Sequence, residues 1–114
     1  VAQNHSQSLY LLGTCYQSGD GVEQNKPKAF ELVAKAAVAG YPQAEYVLGT
    51  YYASGLVGFP DRVQACVWYK KAAEKGVPEA QFNLGNALFV GNGVEKRKDE
   101  GLFWMTKAAE QGVV

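Results

Sequence analysis

The side chains best suited to catalysis are few and far apart in this sequence. A cysteine beside a histidine could form a nucleophilic thiolate–imidazole pair, but His5 is the only histidine, and Cys15 and Cys66 are the only thiols. A zinc site needs three or four nitrogen or sulfur ligands, and these three residues are widely spread. The sequence therefore predicts no catalytic residue, no metal ion and no other cofactor, and we expect a protein that is not an enzyme. Two cysteines also make no disulfide framework, so we expect partly buried free thiols.

Two glycine-rich segments, GDGVEQ at 19–24 and GNGVEK at 91–96, superficially resemble ligand-binding loops. A phosphate-binding loop would end in Lys-Ser or Lys-Thr, and a calcium loop would carry a ladder of oxygen ligands; neither feature is present. The acidic residues in these loops and at nearby helix starts are typical of turns and helix caps. They are Asp20, Glu23, Asp61, Glu95 and Asp99.

The composition excludes further classes of function. The 114 residues are 47% hydrophobic and 19% charged, with eleven basic and eleven acidic side chains. A chain of this size is one domain, and its balanced charge argues against nucleic acid as a partner, because binding a phosphate backbone requires a basic face. No apolar run approaches the roughly 18 residues of a membrane span. The sequence begins with Val1 instead of Met, so we expect residues 1–114 to be a single domain from a longer protein.

The elements that position these residues repeat with a period of 36 residues. Seven positions are identical in all three copies without insertion or deletion, which indicates tandem structural repeats at about residues 6–41, 42–77 and 78–113. A Lys-Ala-Ala triplet recurs near the end of each copy. The recurring leucine, glycine and alanine positions form the repeat signature: Leu12, Gly13, Ala36, Ala37, Leu48, Gly49, Ala72, Ala73, Leu84, Gly85, Ala108 and Ala109.

Each copy has the pattern of two helices joined by a short loop. Pro42 and Pro78 suit the first turn of a helix, and Ser6 holds the matching place in copy one, where we predict an N-cap. Asn25 and Asp61 are the predicted N-caps of two second helices. A glycine follows each second helix and is expected to end it. The sequence therefore predicts six helices, with loops short enough to make neighbouring helices antiparallel.

One glycine lies inside each first helix, directly after a leucine, at Gly13, Gly49 and Gly85. Glycine at such a position costs about 1 kcal/mol relative to alanine. We expect the partner helix to approach so closely there that no side chain fits between the two backbones. The paired alanines of the second helices favour the same close packing.

These residues resemble the Sel-one-like repeat, a relative of the tetratricopeptide repeat. Its pattern A-x-Y-x-L-G-x-x-Y, then G-x-G-V, then A-x-x-W-Y-x-K-A-A-x-x-G is matched most closely by copy two, between Ala44 and Gly76. The resemblance implies an all-α fold, a right-handed α-α superhelix (α-solenoid) of three tandem helix-turn-helix repeats with a concave and a convex face. It also implies an adaptor that holds other proteins together.

In tetratricopeptide-like arrays the first helices line the concave groove, so the resemblance places a protein- or peptide-binding surface there. With Leu48 facing inward, the helical period turns a defined set of side chains toward the groove. The set is Tyr10, Thr14, Gln17, Tyr46, Val47, Thr50, Asn83, Asn86, Phe89 and Val90. It contains no lysine or arginine, so we expect it not to clamp a carboxylate or phosphate. It would hold a peptide or helix by aromatic contacts, with Asn83 and Asn86 bonding to the backbone. Packing between repeats explains the recurring aromatic residues Tyr10, Tyr46 and Phe82 better than ligand contact does.

The last predicted helix carries an apolar stripe from Leu102 to Met105 that nothing polar covers. Either further repeats follow in the parent protein, or this open C-terminal face docks a partner or a second copy. The favoured hypothesis is a protein–protein interaction scaffold that uses the groove and this face. The alternative is an architectural spacer or regulatory subunit of a larger assembly, such as a membrane-associated enzyme activator or a degradation-complex adaptor, without a groove ligand. Reading of single-stranded RNA ranks last, because such readers are basic.

Overall fold

The computed structural model describes residues 2–56 and 58–112, with side chains from residue 5 onward. The helices are α1 (Ala2–Ser18), α2 (Lys26–Val38), α3 (Pro42–Ser54), α4 (Arg62–Glu74), α5 (Pro78–Val90) and α6 (Lys98–Glu110). The described residues contain no strand, so the predicted all-α class with six helices is confirmed. The expected end of the third repeat, at residue 113, lies outside the described ranges.

Helices that are consecutive in the chain pack against each other. The contacts are densest within the pairs α1–α2, α3–α4 and α5–α6, and α2–α3 and α4–α5 join one pair to the next. The stack measures 43 × 32 × 22 Å. Because each pair buries its apolar faces against its sequence neighbours, the three pairs form a short solenoid.

Side-chain caps begin two of the second helices, as the sequence predicts. The Asn25 Oδ1 atom accepts a hydrogen bond from the Lys28 N–H at 3.0 Å, and the Asp61 Oδ1 atom accepts one from the Gln64 N–H at 3.0 Å. Each bond satisfies one of the backbone donors that a helix start leaves unpaired. At the start of α6 the N-cap residue is Arg97, whose side chain makes no cap bond.

The start of the first helix differs from the prediction. Pro42 and Pro78 begin α3 and α5 as expected, but α1 begins at Ala2, so Ser6 lies inside the helix and is not its N-cap. Ser6 is 3% exposed. Proline at the matching positions 42 and 78 disfavours helical backbone in the residue before it, whereas Ser6 does not, so the helix can extend for a further turn ahead of Ser6.

We expect Asp61→Ala to lower the free energy of unfolding by about 1 kcal/mol, because the first turn of α4 loses its cap. Urea unfolding followed by circular dichroism measures this loss. Arg97→Ala is the matched control, since it changes an N-cap residue that makes no cap bond. Equal losses in the two variants would contradict the capping role of Asp61.

The interior glycines allow the two helices of a pair to touch backbone to backbone. A methyl group on Gly49 would lie 2.7 Å from two ring carbons of Tyr69 and 3.2 Å from a carbonyl oxygen of α4. A methyl group on Gly85 would lie 2.7 Å from the Gly101 carbonyl oxygen and 2.9 Å from the Met105 nitrogen. These distances are too short for a side chain, so the close approach expected from the sequence is present.

Small side chains fill the junctions between repeats. The paired alanines of α2 and α4 are at most 1% exposed: Ala36, Ala37, Ala72 and Ala73. Leu48 and Leu84 pack opposite them and are 2% and 3% exposed. The matching residues at the two ends differ, since Leu12 is 44% exposed and Ala109 is exposed. Within the stack, α3 is covered by α2 of the preceding repeat, and α4 is covered by α5 of the following repeat. Among the described residues, no helix covers the matching faces of α1 and α6.

A polar contact recurs at the same register in the second and third repeats. In the second, the Lys75 ammonium lies 2.9 Å from Glu45 Oε2 and donates to the Gly40 carbonyl at 2.8 Å. In the third, the Gln111 amide donates to Gln81 Oε1 at 2.6 Å. Glu45 is 3% exposed, and its Oε1 atom has no hydrogen-bond partner. A charged pair and an amide pair thus make the equivalent contact at positions that lie 36 residues apart.

Candidate functional site

A cavity of about 400 Å³, here called the tyrosine cavity, lies among α1, α3 and the turn between α4 and α5. It is lined by Tyr10, Pro42, Gln43, Tyr46, Val47, Lys75, Gly76, Val77, Pro78 and Glu79. Three of the predicted groove residues, Tyr10, Tyr46 and Val47, are therefore brought together from two repeats. The α4–α5 turn brings residues of the second and third repeats to the same place.

A smaller cavity of about 120 Å³, here called the amide cavity, lies between α4 and α5. Its lining residues are Arg62, Ala65, Cys66, Tyr69, Asn83, Asn86, Ala87 and Asn92. The predicted pair Asn83 and Asn86 lies here, three residues apart on one face of α5. Polar side chains dominate the opening, so this cavity can exchange hydrogen bonds with a bound chain.

The two cavities are linked through an aromatic contact. The rings of Tyr46, in the tyrosine cavity, and Tyr69, in the amide cavity, have centroids 6.0 Å apart. The Asn83 side chain lies close enough to both phenol groups to lower their pKa values by hydrogen bonding, against the larger effect of burial. Asn83 therefore lies beside side chains of two other helices, whereas Asn86 is exposed and remains accessible to a partner.

Burial raises the pKa of the phenol groups of this surface above that of a free tyrosine. It is the main cause that raises the pKa of Tyr69 to about 12, with Tyr46 as the second contributor. Burial also raises the pKa of Tyr46, followed by the negative charge of Glu79, and it raises the pKa of Tyr10. At neutral pH these hydroxyls are hydrogen-bond donors and acceptors, and they are not nucleophiles.

The other predicted groove residues line neither of these two cavities. The hydroxyls of Thr14 and Thr50 donate to carbonyls of their own helices at 2.8 and 2.7 Å. Gln17 accepts a 2.7 Å hydrogen bond at its backbone carbonyl from a side chain of the following loop. An ammonium group of α6 covers the Phe89 ring at 5.5 Å, and Val90 is 54% exposed at the end of α5.

The predicted groove residues include no lysine or arginine, but basic side chains from outside that set line both cavities. Lys75 lines the tyrosine cavity and Arg62 lines the amide cavity. Lys75 comes from a turn and Arg62 from a second helix, so the helical period of the first helices does not include either residue. The Lys75 charge is paired with Glu45, whereas Arg62 is exposed. No repeat pattern marks Lys75, because the matching positions hold Ala39 and Gln111.

Within residues 2–56 and 58–112, no group of three or more histidine, cysteine, aspartate and glutamate side chains is placed to hold a metal ion. Cys15 and Cys66 are free thiols, and burial raises the pKa of Cys66 against the opposing charge of Arg62. His5 lies exposed on α1. In the same part of the chain, no helix combines the length and apolar character needed to cross a membrane.

Both ends of the stack expose apolar side chains. On α6, Leu102 and Phe103 are 49% and 53% exposed, and on α1, Leu11 and Leu12 are 53% and 44% exposed. The corresponding residue of α4, Cys66, is only 4% exposed where Leu102 is open. Apolar surface of this kind is a common feature of sites that contact other proteins.

Comparison with known proteins identifies the repeat. The sequence model of the Sel1 repeat matches residues 6–41, 42–77 and 78–113. Among solved structures, a Sel1 repeat protein from Oxalobacter formigenes is 37% identical with a TM-score of 0.88, over 95% of this chain and 81% of that one. A protective antigen with an SLR fold, present in uropathogenic Escherichia coli strains, is 44% identical with a TM-score of 0.88.

That alignment covers 95% of this chain but only 23% of the Escherichia coli protein. Helicobacter pylori cysteine rich protein B is 25% identical with a TM-score of 0.78, over 97% of this chain and 85% of that one. A search of curated proteins finds no match. The match of the sequence to the Sel1 repeat and the similarity of the structure to a solved Sel1 repeat protein thus agree.

Proposed function

Because this chain belongs to the Sel1 repeat family, whose proteins are generally protein-interaction scaffolds, we propose that it is a non-enzymatic module that binds another protein. The proposed binding surface is the pair of linked cavities on the first helices. The observation that supports it most directly is the contact of Tyr46 with Tyr69, which joins an aromatic cavity to a polar one.

The chemistry of this surface suits a peptide segment or a helix of the partner. Tyr10 and Tyr46 offer large, rigid apolar rings with protonated hydroxyls. Asn86 and Arg62 offer exposed donors at the amide cavity. Tyrosine and arginine are enriched among residues that contribute most to protein–protein affinity, and amide side chains can bond to an extended backbone.

Peptides that bind the purified chain can be selected from a displayed peptide library. These peptides are the ligands with which binding at the two linked cavities is tested. For the selected peptide we expect the double variant Asn86→Ala/Arg62→Ala to weaken binding about tenfold, as loss of two exposed hydrogen-bond donors predicts. Isothermal titration calorimetry measures this change. Asn86 is preferred to Asn83 for this test, because Asn83 also lies beside the phenol groups of Tyr46 and Tyr69.

The matched control is Leu102→Asp, which changes the open end of α6 and neither cavity. It is expected to leave peptide affinity unchanged. Unchanged affinity in the double variant would refute groove binding, and turnover of a substrate without any protein ligand would refute the non-enzymatic role.

An architectural spacer or regulatory subunit is the second candidate, and the exposed apolar side chains at both ends support it. In that case Leu102 and Phe103 on α6, or Leu11 and Leu12 on α1, contact neighbouring subunits or a second copy. Three variants separate the candidates: a spacer loses assembly with Leu102→Asp or with Leu12→Asp, according to the end that it uses, and keeps assembly with Asn86→Ala/Arg62→Ala.

A further inference from the structure

A third cavity, of about 460 Å³, lies between α4 and the segment that joins α5 to α6. Its lining residues are Val63, Cys66, Val67, Lys70, Leu84, Leu88, Gly93, Val94, Glu95, Arg97 and Glu100. Cys66, Leu84 and Leu88 are buried and form an apolar floor. Of the lining residues, only Cys66 also lines the amide cavity, so this is a separate opening, here called the junction cavity.

The preceding repeat junction shows why the junction cavity exists. At that junction the ring of Phe30 packs edge-on against Tyr52, with centroids 5.5 Å apart, and lies 6.4 Å from the ring of Tyr51. Thirty-six residues later, the three aromatic positions hold smaller side chains: Cys66, Ala87 and Leu88. The second junction therefore lacks the rings that fill the first, while the helices around it keep the same pairing.

We propose that the junction cavity receives an aromatic side chain of a partner protein, which takes the place that Phe30 fills in the first junction. The floor is apolar, and the exposed side chains of Val63 and Val67 extend it at the rim. A ring that enters the cavity replaces water with apolar contacts to this floor. A buried aromatic side chain of this kind is a typical anchor of protein interfaces.

The rim selects a side chain that is attached to a peptide backbone. Lys70 supplies donors and Glu100 supplies acceptors, so both halves of an amide group can be bonded there, while Arg97 and Glu95 form an ion pair with each other at 2.8 Å. The volume lies within the range of cavities that hold small ligands, which leaves room for the ring and the adjoining backbone. This inference does not depend on the binding proposed for the tyrosine and amide cavities. The junction cavity can bind a partner even if those two cavities do not, and they can bind even if the junction cavity does not.

The blocked amino acid N-acetyl-L-phenylalaninamide is the probe that tests the proposal. Titrated into the isotope-labelled chain, it is expected to shift the NMR signals of Val67, Leu88 and Val94 in a saturable manner and to leave those of Tyr10 unmoved. N-acetyl-L-alaninamide, which has no ring, and benzyl alcohol, which has no amide, are expected to bind several-fold more weakly. No saturable shift, or equal binding of either comparison compound, would overturn the proposal.

Cys66→Phe tests the origin of the cavity, because it restores the residue found at the matching position of the first junction. We expect it to raise the melting temperature and to abolish the probe-induced shifts. Leu88→Tyr, which matches Tyr52, is a second filling variant with the same expected outcome. Probe binding that persists in both variants would refute the assignment of the site.

Two further measurements keep the result interpretable. In a Cys15→Ser variant, where Cys66 is the only thiol, the probe is expected to slow alkylation of Cys66 by iodoacetamide several-fold; an unchanged rate would count against the site. Asn86→Ala is expected to leave probe binding unchanged, since Asn86 lies outside the junction cavity. A loss of probe binding in Asn86→Ala would show that the probe occupies the amide cavity instead.

Discussion

Replacing Gly49 by leucine is expected to lower the free energy of unfolding by about 3 kcal/mol, because α3 and α4 touch at this residue with no space for a side chain. A Cβ atom on Gly49 would lie 2.7 Å from two ring carbons of Tyr69 and 3.2 Å from the Ala65 carbonyl oxygen. The ring of Tyr69 is itself buried, so it cannot move away freely. The helices must separate, and the packing of the second repeat is lost with them.

Chemical denaturation and the melting temperature both measure this effect. Gln43→Leu is the matched control, since it adds leucine to the same helix at an exposed position, and we expect a change within about 0.5 kcal/mol. If Gly49→Leu melts at the temperature of the unchanged protein, the contact between α3 and α4 is not as close as described. Gly85→Ala extends the test, because there a single methyl group meets the backbone of α6.

Removing the charge of Lys75 is expected to have the second largest effect. Lys75→Met leaves the carboxylate of Glu45 buried without its partner at 2.9 Å, and Glu45 Oε1 already has no hydrogen bond. Breaking a buried ion pair from one side costs several kcal/mol, but the Lys75 side chain is 40% exposed, so we expect a loss of about 2 kcal/mol. Urea unfolding measures the loss.

The third repeat supplies the control for this prediction. Gln81 and Gln111 hold the positions that match Glu45 and Lys75, and they form a 2.6 Å hydrogen bond. The double variant Glu45→Gln/Lys75→Gln copies that pair into the second repeat and removes the buried charge, so it is expected to recover most of the stability. If the double variant is no more stable than Lys75→Met, burial of an unpaired charge is not the cause of the loss.

The sequence was sufficient for the architecture because local signals recur with the repeat. Pro42 and Pro78 begin helices, Asn25 and Asp61 cap them, and glycines with positive φ, such as Gly40 at 94°, end them. Each signal acts within one helical turn and needs no knowledge of distant residues. Ser6 is the exception, because a residue type that caps a helix in one context is buried inside a longer helix in another.

About half of the candidate site could be placed from the helical period. Tyr10, Tyr46 and Val47 meet in one cavity, and Asn83 and Asn86 meet in another, as a register on the first helices suggests. Arg62 and Lys75 could not be found in this way, because they reach the same surface from a second helix and from a turn. Their role in binding, like that of the predicted residues, is a prediction that the variants described above test.

The amino-acid sequence by itself determined the number of helices, their pairing and the close contacts at the interior glycines, since these depend on spacing along a regular backbone. Only the tertiary structure decided which charges meet, as Glu45 and Lys75 do, and where space is left, as beside Cys66. The reason is that a cavity depends on the summed volumes of side chains from several helices, and a buried ion pair depends on distances across the stack. Neither quantity is encoded in the period of one helix.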